Sequence, residues 1–255
     1  MLLLNTQFLP HIIFEGIVAL VFLFFWLDTL RRAKSKKTLI AKRLAIFMGL
    51  YLCAIIITFF TQFNKRIMEN PLFPNISAIY YDQAYKIFVF MANYAFFLFY
   101  LEVFTQYKEK PKKQTWLLVF TIISIVLTLI VPVFGEENVD IMSLITIAIL
   151  LVHSLIIYIP SFIKSRNLYF KLVLEKEEKG KSAVLSITLM SGFFISLWVM
   201  NIVNEIWDIL TERIYGPFWL LSWVAIFLAV FAGYTGFVNP PWFQRLSERI
   251  SKRRG

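Results

Sequence analysis

Apolar residues are gathered into seven long runs, and short polar segments separate these runs along the chain. The runs cover residues 8–30, 44–63, 84–105, 116–134, 142–163, 184–207 and 217–238. A helix of about 20 apolar residues, rising 1.5 Å per residue, crosses a hydrocarbon core of ~30 Å. The pattern predicts an all-α polytopic membrane protein, with a seven-transmembrane-helix bundle at 1–238 and a basic amphipathic cytoplasmic tail at 239–255.

Composition agrees with the run pattern and excludes a soluble domain. Hydrophobic residues make up 59% of the chain and charged residues 16%, whereas a soluble domain has about 25% charged residues. The one cysteine, Cys53, lies in the second run. A single cysteine cannot form an intrachain disulfide or a metal–thiolate cluster, and we expect it to be buried among apolar side chains.

Basic residues are distributed very unevenly between the two sides of the predicted bundle. The segments after runs 1, 3, 5 and 7 hold 22 of the 26 lysines and arginines. Because basic residues are retained in cytoplasmic loops, we expect the amino terminus outside and the carboxyl terminus inside. We expect the protein in the cell (plasma) membrane, with anionic lipid as a partner at the inner face. The net charge of +10 is explained without nucleic acid.

Further predictions concern the segment after the fifth run, the carboxyl-terminal tail and the small residues of the seventh run. Residues 164–183 are predicted to extend the fifth helix as a polar stalk, until Gly180 breaks it. In the tail "NPPWFQRLSERISKRRG" we predict a helix along the inner leaflet, a disordered basic tail being the alternative. The seventh run carries small residues, including Gly233 and Gly236, at spacings that let another backbone approach closely. The predicted leaflet contacts are Trp242, Phe243, Arg245 and Arg249.

Polar side chains recur inside the apolar runs, where an ionisable group costs about 2.5–3.5 kcal/mol to insert. "MNIVNEIWDI" (residues 200–209) places several of them on one helical face near the predicted outer side. If these faces converge, they line an outward-opening cavity that is a candidate small-molecule site. Its residues are Glu15, Lys86, Asn93, His153, Asn201, Asn204 and Glu205.

Structural roles for the same residues remain open. Glu15 could pair with Lys86 or accept a hydrogen bond from Asn201, and His153 could donate between helices. Asn93 and Asn201 could join helices by hydrogen bonds. In contrast, Asp28, Glu102 and Thr105 lie near the predicted inner interface, where we expect them to be solvated.

Several reaction classes are disfavoured by what the chain contains. Its two histidines, His11 and His153, are too few for a multi-histidine zinc hydrolase. No serine lies in a G-x-S-x-G setting, no pair of intramembrane aspartates is present, and the seventh run has no lysine to attach retinal. A filter loop or ring of charge, as in channels, is also missing. We therefore expect no catalytic residues, no metal and no cofactor, and thus not an enzyme.

The layout of seven helices with an amphipathic tail resembles that of G-protein-coupled receptors in architecture alone. The third run ends "YLEVFTQ", without the acidic-Arg-aromatic triplet of those receptors. The segment "YTGFVNPPWFQRL" (residues 234–246) is similar to the exit of the seven-helix sensor region of prokaryotic histidine kinases, and the layout matches over 1–238. That resemblance implies a sensor. Since no kinase or PAS-like segment follows, we expect signalling through a cytoplasmic or membrane protein partner.

Three functions are compatible with these patterns. The first is a receptor-like or sensor-like protein that binds a small ligand from outside. The alternative is a non-catalytic subunit or scaffold in which the polar residues specify packing. The third is a small-solute transporter with Glu15 and His153 as proton-linked groups, although Ser154, Tyr158 and Ser161 give it only a thin path to the inner face.

Overall fold

The computed structural model describes residues 9–63, 78–105, 109–131, 139–175, 180–211 and 217–245, which are helical almost throughout. The helices are α1 (Leu9–Lys36), α2 (Leu39–Gln62), α3 (Ala78–Phe104), α4 (Lys110–Ile130), α5 (Val139–Leu174), α6 (Lys181–Thr211) and α7 (Pro217–Val238). Each of the seven is long and apolar enough to cross a membrane. The chain is therefore a multi-pass membrane protein that is helical, without strands, throughout its described part, which confirms that part of the prediction.

Several helices continue beyond the apolar run that predicted them. α1 extends to Lys36 and α5 to Leu174, because lysine and arginine are good helix formers and polar residues can prolong a helix outside lipid. The predicted stalk is thus helical as far as Leu174. Gly180 has a φ of +83° immediately before α6 begins, a conformation that suits glycine at a helix break.

Some sequence predictions fall on residues outside the described ranges. The sequon "NIS" at 75–77, which matches an N-glycosylation acceptor on the predicted outer side, lies between α2 and α3 and outside the described residues. Arg249, one of the four predicted leaflet contacts, lies within 246–255.

A tight turn joins α1 to α2. Lys37 adopts a φ of +53°, and its backbone N–H donates to the carbonyl of Ala33 at 3.1 Å. Thr38 then caps α2, because its hydroxyl accepts a hydrogen bond from the backbone N–H of Ala41 at 3.3 Å. Such a cap satisfies one of the amides that a helix start leaves without an intrahelical partner.

Packing divides the chain into two compact units, residues 1–150 and residues 151–255, with the boundary inside α5. In unit 1, α1 packs antiparallel to α2. The indole Nε1 of Trp26 donates to the carbonyl of Ala45 at 3.1 Å, and Gly16 faces the ring of Phe59. The prediction of one bundle over 1–238 with a separate tail stays a prediction.

The α2–α3 pair forms most of the aromatic core of unit 1. The rings of Phe47 and Phe96 lie 5.2 Å apart between centroids, and both side chains are fully buried. One helical turn further along α2, the hydroxyl of Tyr51 donates to Asn93 Oδ1 at 3.2 Å. These pairs fix the antiparallel register of the two helices, because residue numbers rise along α2 as they fall along α3.

In unit 2, α6 and α7 approach closely at the small residues of α7. A Cβ at Gly236 would lie 2.0 Å from the hydroxyl oxygen of Ser186, and one at Gly233 would lie 2.6 Å from the sulfur of Met190. The close approach predicted at these two glycines is confirmed. The hydroxyl of Ser186 donates to the carbonyl of Ala232 on α7, so the glycine contact also permits an interhelical hydrogen bond.

The lipid-facing surface is apolar and includes the cysteine. Cys53 is exposed, so the expectation of a buried thiol is wrong. An apolar run does not reveal which of its faces is buried, since lipid and protein interior are equally apolar. On α1 the exposed large side chains recur every three or four residues and form one stripe: Ile13, Ile17, Leu20, Phe24 and Leu27.

Candidate functional site

A buried lysine is the centre of the polar cluster in unit 1. Lys86 on α3 is 1% exposed, and its Nζ donates to the hydroxyl oxygen of Thr146 on α5 at 2.6 Å. The Thr146 hydroxyl donates in turn to the carbonyl of Ser143 at 2.9 Å. A lysine held in this way is unusual, because lysine is almost never fully buried unless it is paired.

Glu15 lies at the same level of unit 1 as Lys86. Asn93 pairs with Tyr51, and Lys86 is seven residues, or about 10 Å, before Asn93. Because α2 runs antiparallel to α3, the same distance along α2 leads from Tyr51 to Thr58. Gly16, next to Glu15, packs on Phe59. The acid and the base therefore lie level with the same turn of α2.

Gln83 is a member of this cluster that sequence reasoning missed. It lies three residues before Lys86 on the same face of α3, is 4% exposed, and its Oε1 accepts no hydrogen bond from any described residue. The acid Glu15 is likewise buried, at 0% exposure. We call Glu15, Gln83, Lys86 and Thr146 the Lys86 cluster.

The predicted residues of unit 2 are spread along two helices. His153 on α5 is fully buried, whereas Asn201, Asn204 and Glu205 on α6 are half-buried. Asn204 donates through Nδ2 to the carboxylate of Asp208 at 2.9 Å, one turn further along α6. Part of the polar face in "MNIVNEIWDI" is therefore bonded within its own helix.

Register places His153 close to the level of Asn201. The rings of Tyr158 on α5 and Phe194 on α6 stack with centroids 4.8 Å apart. α5 and α6 run antiparallel, as the Tyr158–Phe194 and Ser161–Ser191 contacts show. His153, five residues before Tyr158, is therefore level with Val199, five residues after Phe194 and two residues before Asn201. The structure thus groups the seven predicted residues as three in unit 1 (Glu15, Lys86, Asn93) and four in unit 2 (His153, Asn201, Asn204, Glu205).

Hydroxyl groups join α5 to α6 further along α5 than His153. Ser191 donates to Ser161 at 3.0 Å, and Thr188 donates to Ser165 at 3.0 Å. The sequence-based path of Ser154, Tyr158 and Ser161 is accordingly buried. Among these, the Ser161 hydroxyl is used for helix pairing, which is a common role for serine and threonine between membrane helices.

A carboxylate at the far end of α3 connects three helices of unit 1. Glu102 Oε1 lies 2.9 Å from Arg43 Nη1 on α2, and Oε2 lies 2.7 Å from Lys110 Nζ on α4. Arg43 also donates to the carbonyl of Leu98. The sequence predicted a solvated Glu102 but not these ion pairs, although basic residues at the starts of α2 and α4 were a signal for them.

The predicted leaflet contacts in the described part of the tail differ in their exposure. A short helical segment begins at Pro241, where Trp242 is 45% exposed and Arg245 is exposed. Phe243 is 3% exposed and packs within unit 2 against Tyr169, Leu172, Val184 and Leu185. Lipid contact thus stays a prediction for Trp242 and Arg245, whereas the side chain of Phe243 is buried in the core of unit 2.

The Lys86 cluster can hold opposite charges and hydrogen-bonding groups out of water, and its side chains are chemically suited to bind a polar ligand. Within the described ranges, no group of three or more His, Cys, Asp or Glu side chains is arranged to hold a metal ion. Comparison of the chain with protein-family models, curated protein sequences and solved structures finds no match in any of the three.

Proposed function

We propose that this chain is a receptor-like or sensor-like protein of the cell (plasma) membrane, which binds a small ligand from outside and signals through a partner protein. The observation that carries this proposal is the fully buried Lys86 ammonium, level with the fully buried Glu15. Each such group costs about 2.5–3.5 kcal/mol to insert at a helix centre, and ionisable groups within membrane spans usually mark functional sites.

The distribution of basic residues supports a position of the Lys86 cluster in the outer half of the membrane. With the amino terminus outside, α1, α3 and α5 all begin at the outer face. Glu15 lies six residues from the first described residue of α1, or about 9 Å, and Thr146 lies seven residues after the start of α5. A ligand from the outer solution would therefore reach the cluster after crossing about 10 Å of the outer half of the membrane.

α3 offers a route from this cluster to the inner face. Lys86 and Glu102 lie on the same helix, sixteen residues or about 24 Å apart. Glu102 holds α2 and α4 through Arg43 and Lys110. A ligand that favours one position of α3 would therefore alter these ion pairs, provided that it binds two arrangements of the helices with different affinity.

The test is a thermal-stability screen of the purified chain with a small-molecule library across pH. A compound present at 100 times its Kd stabilises a folded protein by about 2.7 kcal/mol. We expect such a compound to raise the Tm of the wild type by several degrees but not that of Glu15→Gln. Glu109→Gln is the matched control, because its carboxylate is 58% exposed in the same unit. A wild type that no compound stabilises would refute the proposal.

A second candidate, a non-catalytic subunit or scaffold, is favoured by the hydroxyl pairs of unit 2. Ser161–Ser191 and Ser165–Thr188 use buried and half-buried hydroxyl groups for helix packing. If the Lys86 cluster has the same role, Glu15→Gln lowers the Tm without changing any response to small molecules. A stable complex with a partner protein that withstands this variant would then support the scaffold.

A further inference from the structure

The charges of the Lys86 cluster restrict the kind of ligand it can bind. In the described part of unit 1, Glu15 and Lys86 are the acid and the base that are fully buried. They lie level with the same turn of α2, as the Tyr51–Asn93 and Gly16–Phe59 contacts require. The cluster is therefore electrically neutral as a set, with the two signs on different helices.

A ligand with a single net charge would upset this balance. Its charge would leave one of the two protein charges without compensation in a site away from water, where an unbalanced ion is heavily penalised. A ligand with one positive and one negative group can instead approach Lys86 with its anion and Glu15 with its cation. The total charge of the occupied site then stays zero.

Gln83 supplies a second, independent indication. Its side chain is 4% exposed, and its Oε1 accepts no hydrogen bond from the described residues. A buried acceptor of this kind is stabilised by a donor, and Lys86 on the next turn donates to Thr146 rather than to Gln83 Oε1. An ammonium group bound near Glu15 has three N–H donors, so it can donate to Gln83 Oε1 while it lies close to the carboxylate.

We propose that the Lys86 cluster binds a small zwitterion, a molecule with one ammonium and one carboxylate, such as a free amino acid. Its carboxylate lies against Lys86, and its ammonium lies against Glu15 and Gln83. This assignment rests on the proposed function, because it names the ligand class of the same outward-facing site.

The test measures binding to the full chain in lipid nanodiscs with matched probes. Glycine, β-alanine, γ-aminobutyrate and L-leucine provide zwitterions with different charge separation and bulk, and methylamine and acetate provide each charge alone. We expect at least one zwitterion to raise the Tm of the wild type, and neither single ion to do so at the same concentration. Gln83→Leu should weaken binding of that zwitterion at least tenfold, since it removes a hydrogen bond to a charged group.

Glu15→Gln and Lys86→Met should abolish the response, and Glu109→Gln should preserve it. If Glu15→Gln or Lys86→Met fails to fold, the effect of Gln83→Leu on zwitterion binding decides the test, because this variant keeps both charges of the cluster. Stabilisation by methylamine or acetate equal to that by the zwitterions would overturn the zwitterion assignment. The zwitterion assignment would also be overturned if no zwitterion stabilised the protein, and a neutral library compound stabilised the wild type but not Glu15→Gln. The proposed function would stand in that case. No response to any compound would overturn both.

Discussion

The indole N–H of Trp198, on α6, is a buried hydrogen-bond donor. It is 3% exposed, and its indole Nε1 has no hydrogen-bond partner among the described residues. Trp198 is thirteen residues from the end of α6, about 20 Å away, whereas tryptophan is usually enriched at membrane interfaces. A buried donor without an acceptor costs about 1–3 kcal/mol.

Replacing Trp198 should therefore have unequal effects for phenylalanine and alanine. Trp198→Phe removes the donor and keeps most of the ring, so we expect a loss of at most about 1 kcal/mol, while Trp198→Ala should cost about 3–5 kcal/mol through its cavity. Unfolding of both variants in the same detergent measures the difference. A loss well above about 1 kcal/mol in Trp198→Phe would mean that the indole N–H has a partner, such as a bound water or ligand.

Individual site residues were predictable from the sequence only where their chemistry is conspicuous. Glu15 and Lys86 are charges within apolar runs, so their cost could be read directly. Thr146 is one hydroxyl in an apolar run, and its bond to Lys86 depends on a register between helices sixty residues apart. The ion pairs of Glu102 were missed for a similar reason, because depth in the membrane says nothing about which neighbouring helix supplies a counter-charge.

The seven helices follow from the spacing and length of the apolar runs, but their contacts do not. α7 is apolar on all sides, so no periodicity marks the face that packs on α6. The glycines do mark it, because only a residue without a side chain permits the contact between Gly236 and Ser186. Small residues therefore carry the packing information that hydrophobic patterning lacks within a membrane.

Gly236→Ala should separate α6 from α7. Its Cβ would lie 2.2 Å from that of Ser186, and overpacking of this kind typically costs about 1–3 kcal/mol. Gly192→Ala is the control, since its nearest contact, the ring of Phe162, is 3.3 Å away. Combining Gly236→Ala with Ser186→Gly should recover part of the loss in an unfolding experiment. An unstable double variant would show that Ser186 is not the obstacle.

The orientation of the whole chain in the membrane depends on its charge distribution, with 22 of 26 basic residues on the predicted inner side. We expect an impermeant maleimide to label Pro217→Cys in intact cells and to label Lys37→Cys only after the cells are opened. Both positions are exposed next to helix ends, and both variants should carry Cys53→Ala so that each has one thiol. If only Lys37→Cys were labelled in intact cells, the topology would be the reverse of the predicted one. The Lys86 cluster would then lie in the inner half, and its ligand would have to come from the cytoplasm.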